Sequence, residues 1–135
     1  MFLLDTNVIS ELRKPRPHGA VIAWLSTIPA EKLAIPAVVI GEIQDGIEIT
    51  RSQDSSKADE IEAWLEVILL THQVTVMDAA IFREWARLMV GKQDNLALDA
   101  MIAATARVHG LTVVTRNTKD FSGFNVQLLN PFAHR

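Results

Sequence analysis

Cysteine is missing from the sequence. Disulfide bonds and thiolate metal sites are thereby excluded, and a reducing, intracellular compartment is the expected home. Equally absent is any apolar run approaching the roughly eighteen residues needed to cross a bilayer. Residues 1–9 lack the basic leader of a signal peptide and carry an acid at position 5, so the expectation is a cytoplasmic protein with no membrane partner. Positive charge is also scarce. Thirteen Lys and Arg against sixteen Asp and Glu leave a net charge of −3, which does not advertise a nucleic-acid binder. It does not forbid one, because metal ions held by clustered acids would reverse the local field. There are no repeats, low-complexity tracts or composition shifts. Residues 1–135 therefore read as one domain, large enough to bury roughly two-thirds of its unfolded surface.

What is present is organised around Phe2-Leu3-Leu4-Asp5-Thr6-Asn7-Val8-Ile9-Ser10. A short apolar run predicts a buried strand, and three polar residues separate it from a helix beginning at Val8. Asp5 thus stands at the carboxyl end of a first strand, where ligands bind in open α/β sheets. Taken alone, Asp5 or Thr6 reads better as a helix cap. The case for chemistry depends on polar residues recurring in similar settings further along.

A basic, proline-broken loop, Arg13 to Gly19, follows the Asp5 crevice and reads as a phosphate contact or a solvated turn. Ala20 to Ile28 predicts a helix stopped by Pro29, and Lys32 to Ile35 a second strand. Pro36 then precedes a helix over Ala37 to Thr50. There Val39, Ile40, Ile43 and Ile47 form one apolar arc and Asp45 and Glu48 point away. Glu42 lies at the edge of that arc beside Gly46, with room to reach inward, though a solvated glutamate fits the pattern as well. Asp59 to Leu70, with Ile61, Trp64, Leu65, Ile68 and Leu69, predicts an amphipathic helix of structural character. Val74 to Met77 predicts a third strand, and Asp78 caps a helix that buries Ile81, Trp85 and Leu88 and ends by Gly91. Arg83 and Arg87 fall on its watery side.

Asn95 is the expected cap of a helix from Leu96 to His109, ended by Gly110. Within Leu96 to Ala106, Asp99 is the single charge, and a buried carboxylate costs several kcal/mol unless something pairs with it. The partner is either a cation such as Arg107 or Arg116, or a metal ion shared with Asp5 and Glu42. Leu111 to Thr115 predicts a fourth strand, β-branched and apolar. It ends in another polar set, Arg116 to Asp120, and Val126 to Leu129 predicts a last strand.

Alternating strands and helices imply an α/β fold, a parallel sheet flanked by helices on both faces. If strands one and four are neighbours, Asp5, Glu42, Asp99 and Asn117 converge on one crevice. Three carboxylates so gathered repel one another unless protonated or bound to a divalent ion. Oxygen-only donors suit Mg2+ or Mn2+ rather than zinc, and such sites perform phosphoryl chemistry.

The opening Asp5-Thr6-Asn7, the segment Gly41-Glu42-Ile43 to Gly46, the run Asp99 to Ala106, and Thr115-Arg116-Asn117 through Asp120-Phe121 together resemble the PIN-domain ribonucleases. More narrowly they resemble VapC-type toxins, with Leu4 to Glu11 and the terminal Asn130-Pro131-Phe132 similar to the FitB-like branch. The resemblance spans essentially the whole chain. It implies a single PIN-like domain with a five-stranded parallel sheet in the order 3-2-1-4-5. The implied activity is a metal-dependent endoribonuclease using Mg2+ or Mn2+. It further implies a homodimer, and a VapB/FitA-like antitoxin that covers the site and can carry the assembly onto DNA. Carried over to this sequence, Asp5, Glu42 and Asp99 are the metal ligands. The fourth position departs from the family, since many members have aspartate where this chain has Asn117, leaving Asn117, water or nearby Asp120 to complete the site. Asp120 reads alternatively as a cap of the turn at Phe121.

Two other classes fit parts of the pattern. A haloacid-dehalogenase-like phosphatase also starts with a strand ending in aspartate, but it requires a second aspartate where this chain has Asn7. A non-catalytic α/β interaction module accounts for the apolar helices and leaves Asp99 unexplained.

Overall fold

The computed structural model describes residues 1–133. Five short strands, β1 (Phe2–Leu4), β2 (Leu33–Pro36), β3 (Gln73–Thr75), β4 (Thr112–Val114) and β5 (Gln127–Leu129), form one sheet in the order β3-β2-β1-β4-β5. Every pairing is parallel. Successive strand residues point to opposite faces, and Leu3 and Leu4, like Val113 and Val114, are all fully buried. Both faces of the central strands are therefore covered, which is why these segments are continuously apolar rather than alternating. The strand order agrees with the expectation, and each predicted strand exists with its limits displaced by one or two residues.

The covering comes from seven helices: α1 (Thr6–Ile9, continued by a 3-10 turn), α2 (Gly19–Leu25), α3 (Ala37–Arg51), α4 (Ser55–Thr71), α5 (Ala79–Leu88), α6 (Ala97–His109) and α7 (Thr118–Phe121). Local sequence explains most of their ends. Asp54 and Asp78 accept from the backbone N–H of Lys57 and Ile81 at 3.1 and 3.0 Å, capping α4 and α5. Gly110, at φ +66°, closes α6 in the left-handed conformation that glycine adopts without strain. In α3, Val39, Ile43 and Ile47 are buried and Asp45 and Glu48 exposed, as their spacing predicts.

Two expectations fail. Helix α4 begins four residues earlier than Asp59, because Asp54 caps it and Ala58 is buried. Asn95 does not cap α6: a 3-10 turn, Asp94–Leu96, leads into the helix, and Leu96 occupies the cap position without a side-chain bond. The start of α6 is anchored instead by Trp85, whose indole Nε1 donates to the Ala97 carbonyl at 3.0 Å.

Candidate acidic site

The site grows from the junction of β1 and β4. Beyond the strands proper, the Asp5 N–H donates to the Val114 carbonyl at 3.0 Å and the Thr115 N–H to that of Leu129 at 3.0 Å. The ladder thus carries Asp5 and Thr115 side by side past the carboxyl edge of the sheet, at the crevice where open α/β folds bind ligands.

Both oxygens of Asp5 are occupied. Oδ1 accepts from the Thr6 N–H at 2.7 Å, and Oδ2 accepts from the Thr115 hydroxyl at 2.8 Å and from Asn7 Nδ2 at 3.3 Å. Asp5 stands at the N-cap of α1 as well as in the crevice, so the capping and site readings are both realised. Asn7 in turn accepts the Arg116 N–H at 3.0 Å, and the Asn117 N–H donates to Thr115 Oγ1 at 3.0 Å. Asp5-Thr6-Asn7 and Thr115-Arg116-Asn117 are thereby laced into one unit. Helix α3 adds Glu42, whose Oε1 accepts from the Thr6 hydroxyl at 3.2 Å. Helix α6 adds Asp99 from its first turn.

The acids feel one another. Burial, followed by the charges of Asp5 and Asp120, pushes Asp99 up from 3.8 to about 6, and no hydrogen bond or cation counteracts them. Glu42 is raised by burial, then by Asp5 and Asp99, against the lowering effect of Thr6. Asp5 is raised chiefly by burial, although its bonds from Thr115, Thr6 and Asn7 oppose this. The cations proposed as structural partners of Asp99 are engaged elsewhere. Arg107 donates to Glu84 and to the Asn125 carbonyl, each at 2.7 Å, while Arg116 lies over the Phe132 ring at 4.4 Å.

Asn117 is exposed at the N-cap of α7, with no side-chain capping bond. Asp120 lies inside that helix rather than capping it, and its charge raises both Asp5 and Asp99. Among the described residues, no three His, Asp or Glu side chains are close enough together to form a ready-made metal cluster. The acids share a field without meeting at one point. Mutual repulsion accounts for that spread, and the donor set, all oxygen and mostly anionic, fits a hard divalent ion.

Three residues escaped the sequence reading. Thr115 reads from the sequence as a strand end and as part of the Thr115-Arg116-Asn117 motif, with no role of its own, yet its hydroxyl bonds Asp5, Asn7 and the Asn117 N–H. Glu11 is buried, where Lys14 pairs with it and the His18 N–H donates to it at 2.8 Å, pinning the proline-broken loop. The three-residue spacing of Glu11 and Lys14 was its only trace in the sequence. Trp64, read as structural, together with Ile61 lines a cleft of about 250 Å³ that Glu42, Thr6 and Arg13 also border.

Comparison with known proteins agrees with this architecture. The PIN domain family model matches residues 2–125. Toxin FitB of Neisseria gonorrhoeae is 34% identical, the match covering 98% of this chain and 99% of that protein. VapC ribonuclease Y4jK of Sinorhizobium fredii is 35% identical over 98% of each chain. Among solved structures, that of FitAB bound to IR36 DNA fragment superposes with a TM-score of 0.87 at 30% identity, covering all of this chain and 98% of that one. With its parallel five-stranded sheet, its acids at the β1/β4 edge and these matches along nearly its whole length, the chain belongs to the PIN-domain family.

Proposed function

We propose that the chain is a metal-dependent endoribonuclease acting as the toxin of a toxin–antitoxin pair, with residues 1–135 working as one domain. Asp5, Glu42, Asp99 and Asn117 are the residues that would hold Mg2+ or Mn2+. The observation that carries this reading is Asp99: a carboxyl driven to about 6 by burial and by neighbouring acids, with no cation to neutralise it. A divalent ion bound there supplies Lewis-acid polarisation of a phosphodiester and a more acidic water. The chain's own contribution is positional. Thr115, Asn7 and the Thr6 N–H fix both Asp5 oxygens, and the Thr6 hydroxyl holds Glu42 Oε1 toward the same crevice. The relatives at 35% and 34% identity are named as a ribonuclease and as a toxin, and these activities are extended here to this chain.

The partner follows the same logic. The relative at 30% identity was solved as FitAB on DNA, and we extend that assembly to an antitoxin for this chain, with a homodimer of the toxin carried on operator DNA. The surface that suits it is on α3 and α4, where Ile49, Val67 and Leu70 are exposed apolar side chains and where the two helices also line the cleft that reaches Glu42. No helix of the described residues is long and apolar enough to cross a membrane. A phosphatase reading is disfavoured by Asn7, whose amide is committed to Asp5 and to the Arg116 N–H where a general acid would be needed.

The test is cleavage of single-stranded RNA by purified protein with Mn2+ or Mg2+. Cleavage that a chelator abolishes supports the proposal. Hydrolysis of a small phosphomonoester without cutting of RNA overturns it in favour of a phosphatase, and neither activity leaves an interaction module.

A further inference from the structure

A cavity lies at the other end of the sheet from the acids. Gly110 and Leu111, which lead into β4, and Asn125 and Val126, which lead into β5, form one side of it, and α5 and the last turn of α6 form the other. Its volume is about 610 Å³, within the range of small-molecule sites.

Its charge is opposite to that of the molecule as a whole. Arg83, Arg87 and Arg107 line it with a single acid, Glu84, so two positive charges are uncompensated in a protein of net charge −3. Arg107 is held rigidly: Nε donates to Glu84 Oε2 at 2.7 Å, and Nη1 donates to the carbonyls of Asn125 at 2.7 Å and Phe124 at 3.4 Å. Asn125 presents that carbonyl from a left-handed conformation, φ +52°. Arg87 reaches the other Glu84 oxygen at 3.4 Å. Arg83, one turn earlier on α5, pairs with no acid among the described residues. Helices α5 and α6 are joined by the Glu84–Arg107 pair and by the Trp85 bond to the Ala97 carbonyl, and neither Arg83 nor Arg87 bonds to α6.

We propose that this cavity binds a nucleoside phosphate, either a free nucleotide or the phosphorylated end of an RNA chain. The guanidinium groups of Arg83 and Arg87, one turn apart on α5, suit a tetrahedral phosphate, which offers oxygens in several directions, better than a planar carboxylate. The space beyond them exceeds what a bare phosphate fills, and Ala80 and Val126 offer apolar surface for a base at its wall. The site does not depend on the nuclease reading, because it shares no residue with the acidic crevice.

The experiment titrates adenosine 5′-monophosphate, inorganic phosphate and short 5′-phosphorylated or 5′-hydroxyl RNA into the full-length protein, at low salt with a chelator present to keep metal-mediated binding out of the crevice. Saturable binding of the nucleotide, tighter than that of phosphate and weakened about tenfold or more by Arg83→Ser with Arg87→Ser, is the expected result. Circular dichroism checks that the variants fold, and Arg83→Ser alone gives a second reading because that side chain supports no other contact. A preference for 5′-phosphorylated over 5′-hydroxyl RNA that vanishes in the variant identifies the RNA end as the source; binding of the mononucleotide alone identifies a free nucleotide. Absence of saturable binding by any probe, or equal binding by wild type and both variants, overturns the proposal.

Discussion

Thr115 donates its hydroxyl hydrogen to Asp5 Oδ2 at 2.8 Å across a sequence separation of 110 residues, and Thr115 is itself fully buried. The Thr115 hydroxyl oxygen in turn accepts from the Asn117 N–H, so one hydroxyl fixes an acid on β1's edge and a turn on β4's. Thr115→Val keeps the shape and removes the bonds. It leaves the buried Asp5 Oδ2 with only the longer Asn7 bond and removes the acceptor of the Asn117 N–H, which costs about 1–3 kcal/mol. Chemical denaturation at neutral pH should show that loss, and the Asp5 carboxyl should titrate higher than in the wild type, since the Thr115 bond lowers it.

The metal-free protein should carry a pH signature from Asp99. Its carboxyl titrates at about 6 in the folded chain against 3.8 ordinarily, so the fold favours the protonated form. The associated stability is fully present below about 3.8 and is lost as pH rises through 6. Glu11 and Glu84 are lowered and act in the opposite sense in acid. The comparison that isolates Asp99 is therefore wild type against Asp99→Asn, with a chelator present. The variant should be the more stable at pH 7, and the difference should shrink between pH 6 and 4. A difference independent of pH would contradict the coupling.

Removing any one of Asp5, Glu42 or Asp99 as alanine should lower metal-dependent RNA cleavage by at least about 100-fold, since loss of groups merely supporting metal ligands already costs 10–100-fold. Circular dichroism distinguishes loss of the site from loss of the fold. A folded Asp99→Ala protein that cleaves at the wild-type rate would remove Asp99 from the site.

Asn117 and Asp120 divide the fourth position between a neutral amide at the N-cap of α7 and a charge one turn on. Hard cations are held chiefly by ligand charge and number. Asn117→Asp should lower the metal concentration for half-maximal cleavage. Asp120→Ala should raise it modestly, because its charge reaches Asp5 and Asp99 through space. Metal titrations of both variants check this. If neither shifts, neither residue belongs to the site.

Val67 and Leu70 are exposed on α4, at 56% and 87%. Replacing both with lysine should leave the fold and RNA cleavage intact while weakening binding of the proposed antitoxin by about tenfold or more, as expected when apolar anchors at an interface are lost. Gel filtration of the co-expressed pair reads the outcome. A complex unaffected by both substitutions would move the docking surface elsewhere.

The strands and helices were legible because the interior imposes a pattern: a sheet covered on both faces demands continuous apolar runs, and Phe2–Leu4 and Thr112–Val114 supply them. Gly110 and Asp78 marked helix ends for equally local reasons. Asp99 stood out because a lone acid among alanines and isoleucines requires an explanation. The role of Thr115 and the burial of Glu11 were less legible, because they depend on where the chain returns in space. Asn95 misled for the converse reason: a favourable cap residue lost its position to a 3-10 turn and a tryptophan on another helix.

The separation of Asp5 from Thr115 also bears on synthesis. During translation β1 emerges first, but β4, one of its two sheet neighbours, follows some hundred residues later, so the acids cannot be locked together on a nascent chain until Thr115 has left the ribosome. Pairing between such distant segments is also slow to form, because loop closure must precede the contacts that reward it. A truncated product ending before Thr112 would hold Asp5, Glu42 and Asp99 yet lack β4 and the threonine that positions the first of them. Termination before β4 therefore yields an unassembled site, in which the three acids are present without the contacts that orient them.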